Sequence, residues 1–139
     1  MTTNIKISSE PLSIDTAYQS VIDASNGGNC LFVGTVRDIN KDKKVTHLDF
    51  ETYGPMAISE LKKIAVECQT KFDITKISIF HREGKVSITE IAVIIAVSSK
   101  HRKACFLACE YAIDQLKMNV PIWKKEHLEG GSFWVGARP

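Results

Sequence analysis

In the stretch SSKHRKACFLACEYAIDQLKMNVPIWKKE, residues 98–126, most side chains able to do chemistry are cations. Lys100, His101, Arg102 and Lys103 open a run with helical spacing, Lys117 lies near its end, and Lys124 and Lys125 follow Pro121-Ile122-Trp123. A helix N-terminus carries roughly half a positive charge and free N–H groups, so each cation placed there costs about 0.3–1 kcal/mol. A succession of them contradicts that local rule, and such contradictions mark functional sites more than fold requirements. An anion resolves the conflict. A phosphate at this terminus accepts backbone N–H bonds, a bidentate fork from Arg102 and a donor from His101 together. The plainer reading is a solvated basic turn.

Lys117 sits where a helix favours a cation for dipole reasons, so alone it says little. Trp123 beside Lys124 and Lys125 can hold an ammonium in a partly desolvated pocket and lower its pKa toward useful acid–base range. Glu126 is either a ligand to a polar substrate edge or an ion-pair partner that orients one of these lysines. Arg37, closing the strand FVGTVR after Gly34, is a further anion ligand or an edge-strand charge. Arg102 and Lys117 are fifteen residues apart on one helix, about 22 Å at ~1.5 Å per residue. Either there are two sites, or a symmetric dimer sets the start of one subunit's helix beside the Lys117 end of its partner's, and the dimer is the preferred expectation. His81-Arg82 reads as a structural pair of donors. Cys105 and Cys109, four apart on one helical face, read as small buried core residues.

The elements that must position these groups follow from periodicity. Residues 11–25, with Ile14, Ala17, Tyr18, Val21 and Ile22, predict a first helix, stopped by Asn26-Gly27-Gly28. NCLFVGTVRD (29–38) predicts a strand, residues 40–44 a solvated loop, and THLDFETY (46–53) a half-buried antiparallel strand. Ala57, Leu61, Ile64, Ala65, Cys68 and Phe72 mark a second helix after Pro55. Strands over 74–82 and 85–99 are expected to form a hairpin through Glu83-Gly84, the second strand lying centrally in its sheet. The third helix runs from a Ser98/Ser99 cap to about Asn119, before Pro121, and a basic loop and short aromatic strand close the chain. Helices packed on a mixed sheet make the class α+β.

With 44% hydrophobic and 24% charged residues in 139, the chain fits one domain over residues 1–139 with a core of its own. No stretch approaches the ~20 apolar residues of a membrane helix and no export signal opens the sequence, so a soluble cytoplasmic protein is expected. Cys30, Cys68, Cys105 and Cys109 lack CxxC pairing and matching His spacing, which indicates neither a zinc site nor a disulfide framework. A net charge of +2 is too small to argue for general polyanion binding.

Taken together, FVGTVRD (32–38), LDFETYGPMA (48–57), FHREGKVSITEIAV (80–93), SSKHRKACFLACEYAIDQLK (98–117), PIWKKE (121–126) and the final FWV resemble the molybdopterin synthase catalytic (large) subunit family. The resemblance implies an α/β-hammerhead fold with three main helices and a mixed, largely antiparallel sheet. It implies a homodimeric core carrying a small ubiquitin-like sulfur-carrier subunit at each end, a heterotetramer. The carrier's C-terminal Gly-Gly thiocarboxylate would donate sulfur to cyclic pyranopterin monophosphate, and two transfers would build the molybdopterin dithiolene. Carried over by motif, Arg37, His101, Arg102, Lys117, Lys124, Lys125, Glu126 and, more weakly, Arg138 bind substrate, with Lys117 and Lys124 catalytic. No cofactor or metal is required for that step. Thr89-Glu90 departs from the family, many of whose members carry Gly before the acidic residue.

Three other readings compete with this one, among them a purely structural dimer whose basic ends bind acidic partner tails. A non-catalytic phosphate- or RNA-binding module would need paired exposed aromatics that FxGxVR lacks. A thiol-dependent enzyme would need reactive cysteines outside an apolar helix.

Overall fold

Strands covered on both faces read as unbroken apolar runs, and two such runs form the centre of this protein. The computed structural model describes residues 2–135, and the side chains of residues 3–131. The chain order is β1 (Thr2–Ser8), α1 (Ile14–Val21), β2 (Gly28–Thr35), β3 (Ile39–Asn40), β4 (Lys43–Thr52), α2 (Gly54–Lys71), β5 (Lys76–Arg82), β6 (Gly84–Ser87), β7 (Ile91–Ser99), α3 (Arg102–Asn119), β8 (Ile122–Leu128) and β9 (Gly131–Val135).

One sheet has the order β1-β5-β7-β2, with β1 and β5 parallel and the other pairs antiparallel. Its inner strands alternate between two cores. Ile77, Ile79, Val93, Ile95 and Val97 face α2 and α3, while Phe80, Ile94 and Ala96 face α1 through Ala17 and Val21. The second sheet runs β3-β4-β8-β9, with β6 also paired to β4. The α+β class, the three helices and the central place of β7 are as expected. Among the described residues no helix is long and apolar enough to cross a membrane.

Several expectations are corrected. Glu83-Gly84 makes no hairpin: β5 pairs with β1 and β7, and the chain leaves that sheet at Gly84, at φ 84°, so that β6 can join β4. The long strand over 85–99 is therefore two strands in two sheets. The loop over 40–44 is a tight hairpin between β3 and β4, whose two linking residues, Lys41 and Asp42, both take positive φ, 51° and 65°. The basic loop before the last strand is strand β8. The first helix is shorter than residues 11–25; Ser13 caps it by accepting the Thr16 N–H at 3.1 Å, and Ile22 is already extended. The strand over 29–38 ends at Thr35, and β1 was not anticipated. The N-cap of α3 is His101, although the Ser99 hydroxyl still accepts the Cys105 N–H at 3.1 Å.

Between β6 and β7 the turn places Thr89 at φ 69°, a conformation that a β-branched residue adopts at a cost of about 1 kcal/mol or more. Its N–H donates to the Val36 carbonyl at 2.9 Å, and Glu90 closes the turn by accepting the Ser87 N–H on Oε1 at 2.8 Å. The Thr89 side chain is exposed, so little packing is lost with it. Thr89→Gly is expected to stabilise the fold by about 0.5–1 kcal/mol, read as a higher urea midpoint. A lower midpoint would contradict the strain.

Candidate active site

Strand alternation sorts the PIWKKE segment. On β8, Lys124 and Glu126 project to one face and Trp123 and Lys125 to the other, Lys125 lying opposite Asp49 of β4. Trp123 therefore does not shield Lys124. The shielding comes from a cavity of about 180 Å³ lined by Arg37 from just beyond β2, Asn40 from the β3–β4 hairpin, Lys117 from the last turn of α3, and Lys124 and Glu126 from β8. A smaller, mainly apolar cavity of about 110 Å³ adjoins it. That cavity shares Lys117, Lys124 and Leu48 and adds Phe50, His81 and Leu116. Four of the sequence-derived candidates, Arg37, Lys117, Lys124 and Glu126, are thus brought to one place from three separate parts of the chain: the segment after β2, α3 and β8.

The balance of charge there is positive. Glu126 is buried; its Oε1 accepts a hydrogen bond from Asn40 Nδ2 at 2.5 Å, and its Oε2 has no hydrogen-bond partner among the described residues. A carboxylate is not buried with an idle oxygen without cost. Here it stands among three cations. Burial lowers the Lys124 pKa, the Lys117 charge lowers it further, Glu126 opposes both, and Arg37 adds a smaller lowering. Among the described residues, three cations against one carboxylate make a cavity suited to anions, with one ammonium biased toward giving up its proton.

His81 and Asn40 are the residues that sequence reasoning left out. His81 was read as a strand-end donor, yet period two puts it on the β5 face of Ile77 and Ile79, toward α3. The ring is 2% exposed and meets Phe50 edge-on at 5.1 Å. Its Nδ1–H donates to the Arg82 carbonyl at 2.7 Å, which leaves Nε2 as an acceptor. Burial, opposed by that hydrogen bond and helped by the Lys117 charge, pushes its pKa down to about 4. A neutral imidazole at the end of an apolar cavity adds a hydrogen-bonding group without adding charge.

Because the folded-state pKa of His81 lies below the unfolded value, the fold binds fewer protons there, and its stability falls as pH drops through 6.5 toward 4. Wild type is expected to lose about 3 kcal/mol over that window that His81→Gln does not lose. Urea titrations of both proteins at several pH values check this, and parallel slopes would contradict it.

The other basic group lies elsewhere. His101 and Arg102 are exposed at the start of α3, His101 makes no side-chain cap hydrogen bond, and no acidic residue occupies the first turn. The loop before β2 holds this end in place: the Gly27 N–H donates to the Lys100 carbonyl at 3.1 Å. A Cβ on Gly28 would stand 3.0 Å from the Arg102 Cα, so a larger residue would have to push this loop and the start of α3 apart by a few tenths of an ångström. Within one chain α3 holds this terminus and Lys117 about 22 Å apart. Arg138 lies outside the described residues. Cys109 is buried and burial raises its thiol pKa, as it does for Cys30, which removes the thiolate that a thiol enzyme would need.

Comparison with known proteins gives the chain its family and its fold relatives. Residues 7–119 match the family model described as MoaE protein. The molybdopterin synthase catalytic subunit of Bos taurus is 50% identical, over 94% of this chain and 69% of that protein. Its counterpart in Homo sapiens is 47% identical, over 95% of this chain and 70% of its own length. The crystal structure of molybdopterin synthase from Staphylococcus aureus superposes with a TM-score of 0.89 at 43% identity, covering 94% of this chain and 95% of that one.

Proposed function

The chain belongs to the MoaE protein family, and from that premise we propose how its two basic regions divide the work of sulfur transfer. The activity is that of a molybdopterin synthase catalytic subunit, a transferase of molybdenum cofactor biosynthesis. The sulfur donor is the C-terminal thiocarboxylate of a small ubiquitin-like carrier subunit, and the acceptor is cyclic pyranopterin monophosphate. One observation carries the reading: Arg37, Lys117 and Lys124 surround a cavity whose only carboxylate among the described residues is Glu126.

A thiocarboxylate sulfur is already an anionic nucleophile, so this subunit need not supply one. It must bring two anions together and manage protons. The cavity serves the carrier tail: Lys117 and Lys124 stabilise the developing oxyanion or protonate the leaving oxygen, Arg37 adds positive charge, and Glu126 keeps Lys124 protonated and placed. The phosphate docks at His101 and Arg102 of a second copy, because α3 is too long for one chain to offer both ends to a small substrate. Lys125, on the far face of β8, acts outside this cavity. We place the protein in the cytosol, where its four free thiols stay reduced, as one domain in a homodimer that takes up two carriers. Family membership favours this reading over the phosphate- or RNA-binding module.

Mixing two inactive variants tests the shared site. In a heterodimer of Lys117→Ala and Arg102→Ala subunits, one site carries both lesions and the other carries none. Unfolding and refolding an equimolar mixture should restore about a quarter of wild-type dithiolene formation, measured by mass spectrometry with thiocarboxylated carrier and the pyranopterin. A site built within one subunit would restore nothing.

A further inference from the structure

On the face of the second sheet turned away from the cationic cavity, His47 and Asp49 of β4 meet His127 of β8. His47 and His127 are register partners, and their rings stack at 4.0 Å between centroids, 13° from parallel. His127 Nε2 lies 2.6 Å from Asp49 Oδ2, and His47 Nε2 lies 3.6 Å from the same oxygen. A register shift in β4 between Val45 and His47 puts Thr46 beside both histidines. Its hydroxyl donates to the His127 carbonyl at 2.9 Å, so at 3.3 Å from His47 Nδ1 it can only accept. Nδ1 of His47 therefore carries a proton, and Nε2 is the nitrogen turned toward the carboxylate. His127 Nε2 is itself buried and, for all its closeness to Asp49, has no hydrogen bond of acceptable geometry among the described residues. Two imidazole nitrogens and a carboxylate oxygen thus converge on this face of the sheet.

We propose that His47, Asp49 and His127 form a binding site for a divalent d-block cation that clamps β8 to β4. The three donor atoms lie within 4.8 Å of one another, so small side-chain rotations bring each onto one ion at about 2.0–2.2 Å, with water completing the shell. The donor set decides the class of metal. Lys85 and Lys125 are the register partners of Asp49 on the strands either side of it, so the region does not attract cations by net charge. Magnesium and calcium, which want several oxygens, are disfavoured, and zinc or a similar ion, held through imidazole nitrogen, is favoured. Thr46 fixes the His47 tautomer as a supporting partner of a metal-bound histidine does. The ion would steady the strand whose opposite face carries Lys124 and Glu126, without entering the reaction.

The test uses the purified full chain and metal alone. Zinc is titrated in competition with a chromophoric chelator, and Co²⁺ is added as a spectroscopic probe. One tight equivalent of zinc is expected, with cobalt d–d bands lacking a thiolate charge-transfer band and a raised thermal midpoint. Asp49→Asn, which nearly keeps the shape of the side chain, should weaken zinc about tenfold or more. The His47→Ala/His127→Ala double variant should lose the equivalent altogether. Zinc binding that is equal in wild type and Asp49→Asn, a thiolate band, or no tight equivalent in the wild type would each overturn the proposal.

Discussion

Lys117→Ala is expected to lower dithiolene formation by about 10³-fold while leaving the fold and carrier binding largely intact. Lys117 lies in the last turn of α3 and lines both cavities. Its side chain is exposed, and its contribution to the helix is a dipole interaction of about 0.3–1 kcal/mol, so stability changes little. Activity should change far more. The reaction brings an anionic sulfur toward a substrate that already carries a phosphate, and Lys117 meets the negative charge that grows on the reacting oxygen. Once the carrier tail and substrate fill the cavity and displace its water, that interaction is worth several kcal/mol. Product formation by the variant is read by mass spectrometry, and carrier affinity by calorimetry. Near-normal turnover would remove Lys117 from the mechanism, and a parallel loss of carrier affinity would recast it as a docking residue.

The second large effect concerns Lys124. If its ammonium donates a proton, the rate falls as pH rises through its pKa. That pKa is held below the ordinary lysine value by burial first and by the Lys117 charge second. The alkaline limb should therefore begin below the range of a free lysine. Lys124→Met is expected to cost about 10²–10³-fold and to abolish the limb. Lys124→Arg keeps the charge but cannot lose its proton in the accessible range, so it should also flatten the limb while retaining more substrate affinity. Glu126 is the one group that opposes the lowering, so Glu126→Gln should move the limb to lower pH. A limb unchanged in Glu126→Gln and Lys124→Arg would assign it to another group.

What the amino-acid sequence discloses depends on how local the cause is. The central strands were legible because β5 and β7 are covered on both faces, and α3 because its buried stripe of Cys105, Ala108, Cys109, Ala112 and Leu116 is periodic. The exchange of sheets at Gly84 was not, since a tight Glu-Gly connection looks the same whether the next strand returns to its predecessor or joins another sheet. Strand β8 hid for a functional reason: its inward positions are Lys124 and Glu126, the reverse of a core pattern. Positive φ at Lys41 and Asp42 lacks the glycine that would have announced a hairpin.

The candidate site was legible as a set of residue types, and family resemblance supplied their roles. Their assembly was not. Nothing local tells that Arg37, Asn40, Lys117 and Glu126 share a cavity while Lys125, adjacent to Lys124, turns away. His81 was passed over because a histidine beside an arginine at a strand end is ordinary. The distance between the two ends of α3 could be computed from helix geometry alone, and the structure keeps it. His47 and His127 are adjacent only through the register of β4 and β8, so no spacing rule for metal ligands reaches them.

The most direct measurement is a crystal structure of the homodimer with the carrier and cyclic pyranopterin monophosphate bound. The phosphate is expected within hydrogen-bonding distance of His101 and Arg102 of one protomer, and the pterin turned toward the carrier tail between Lys117 and Lys124 of the other. A phosphate remote from the first turn of α3 in both protomers, or a carrier tail that ends outside the Lys117–Lys124 cavity, would contradict it.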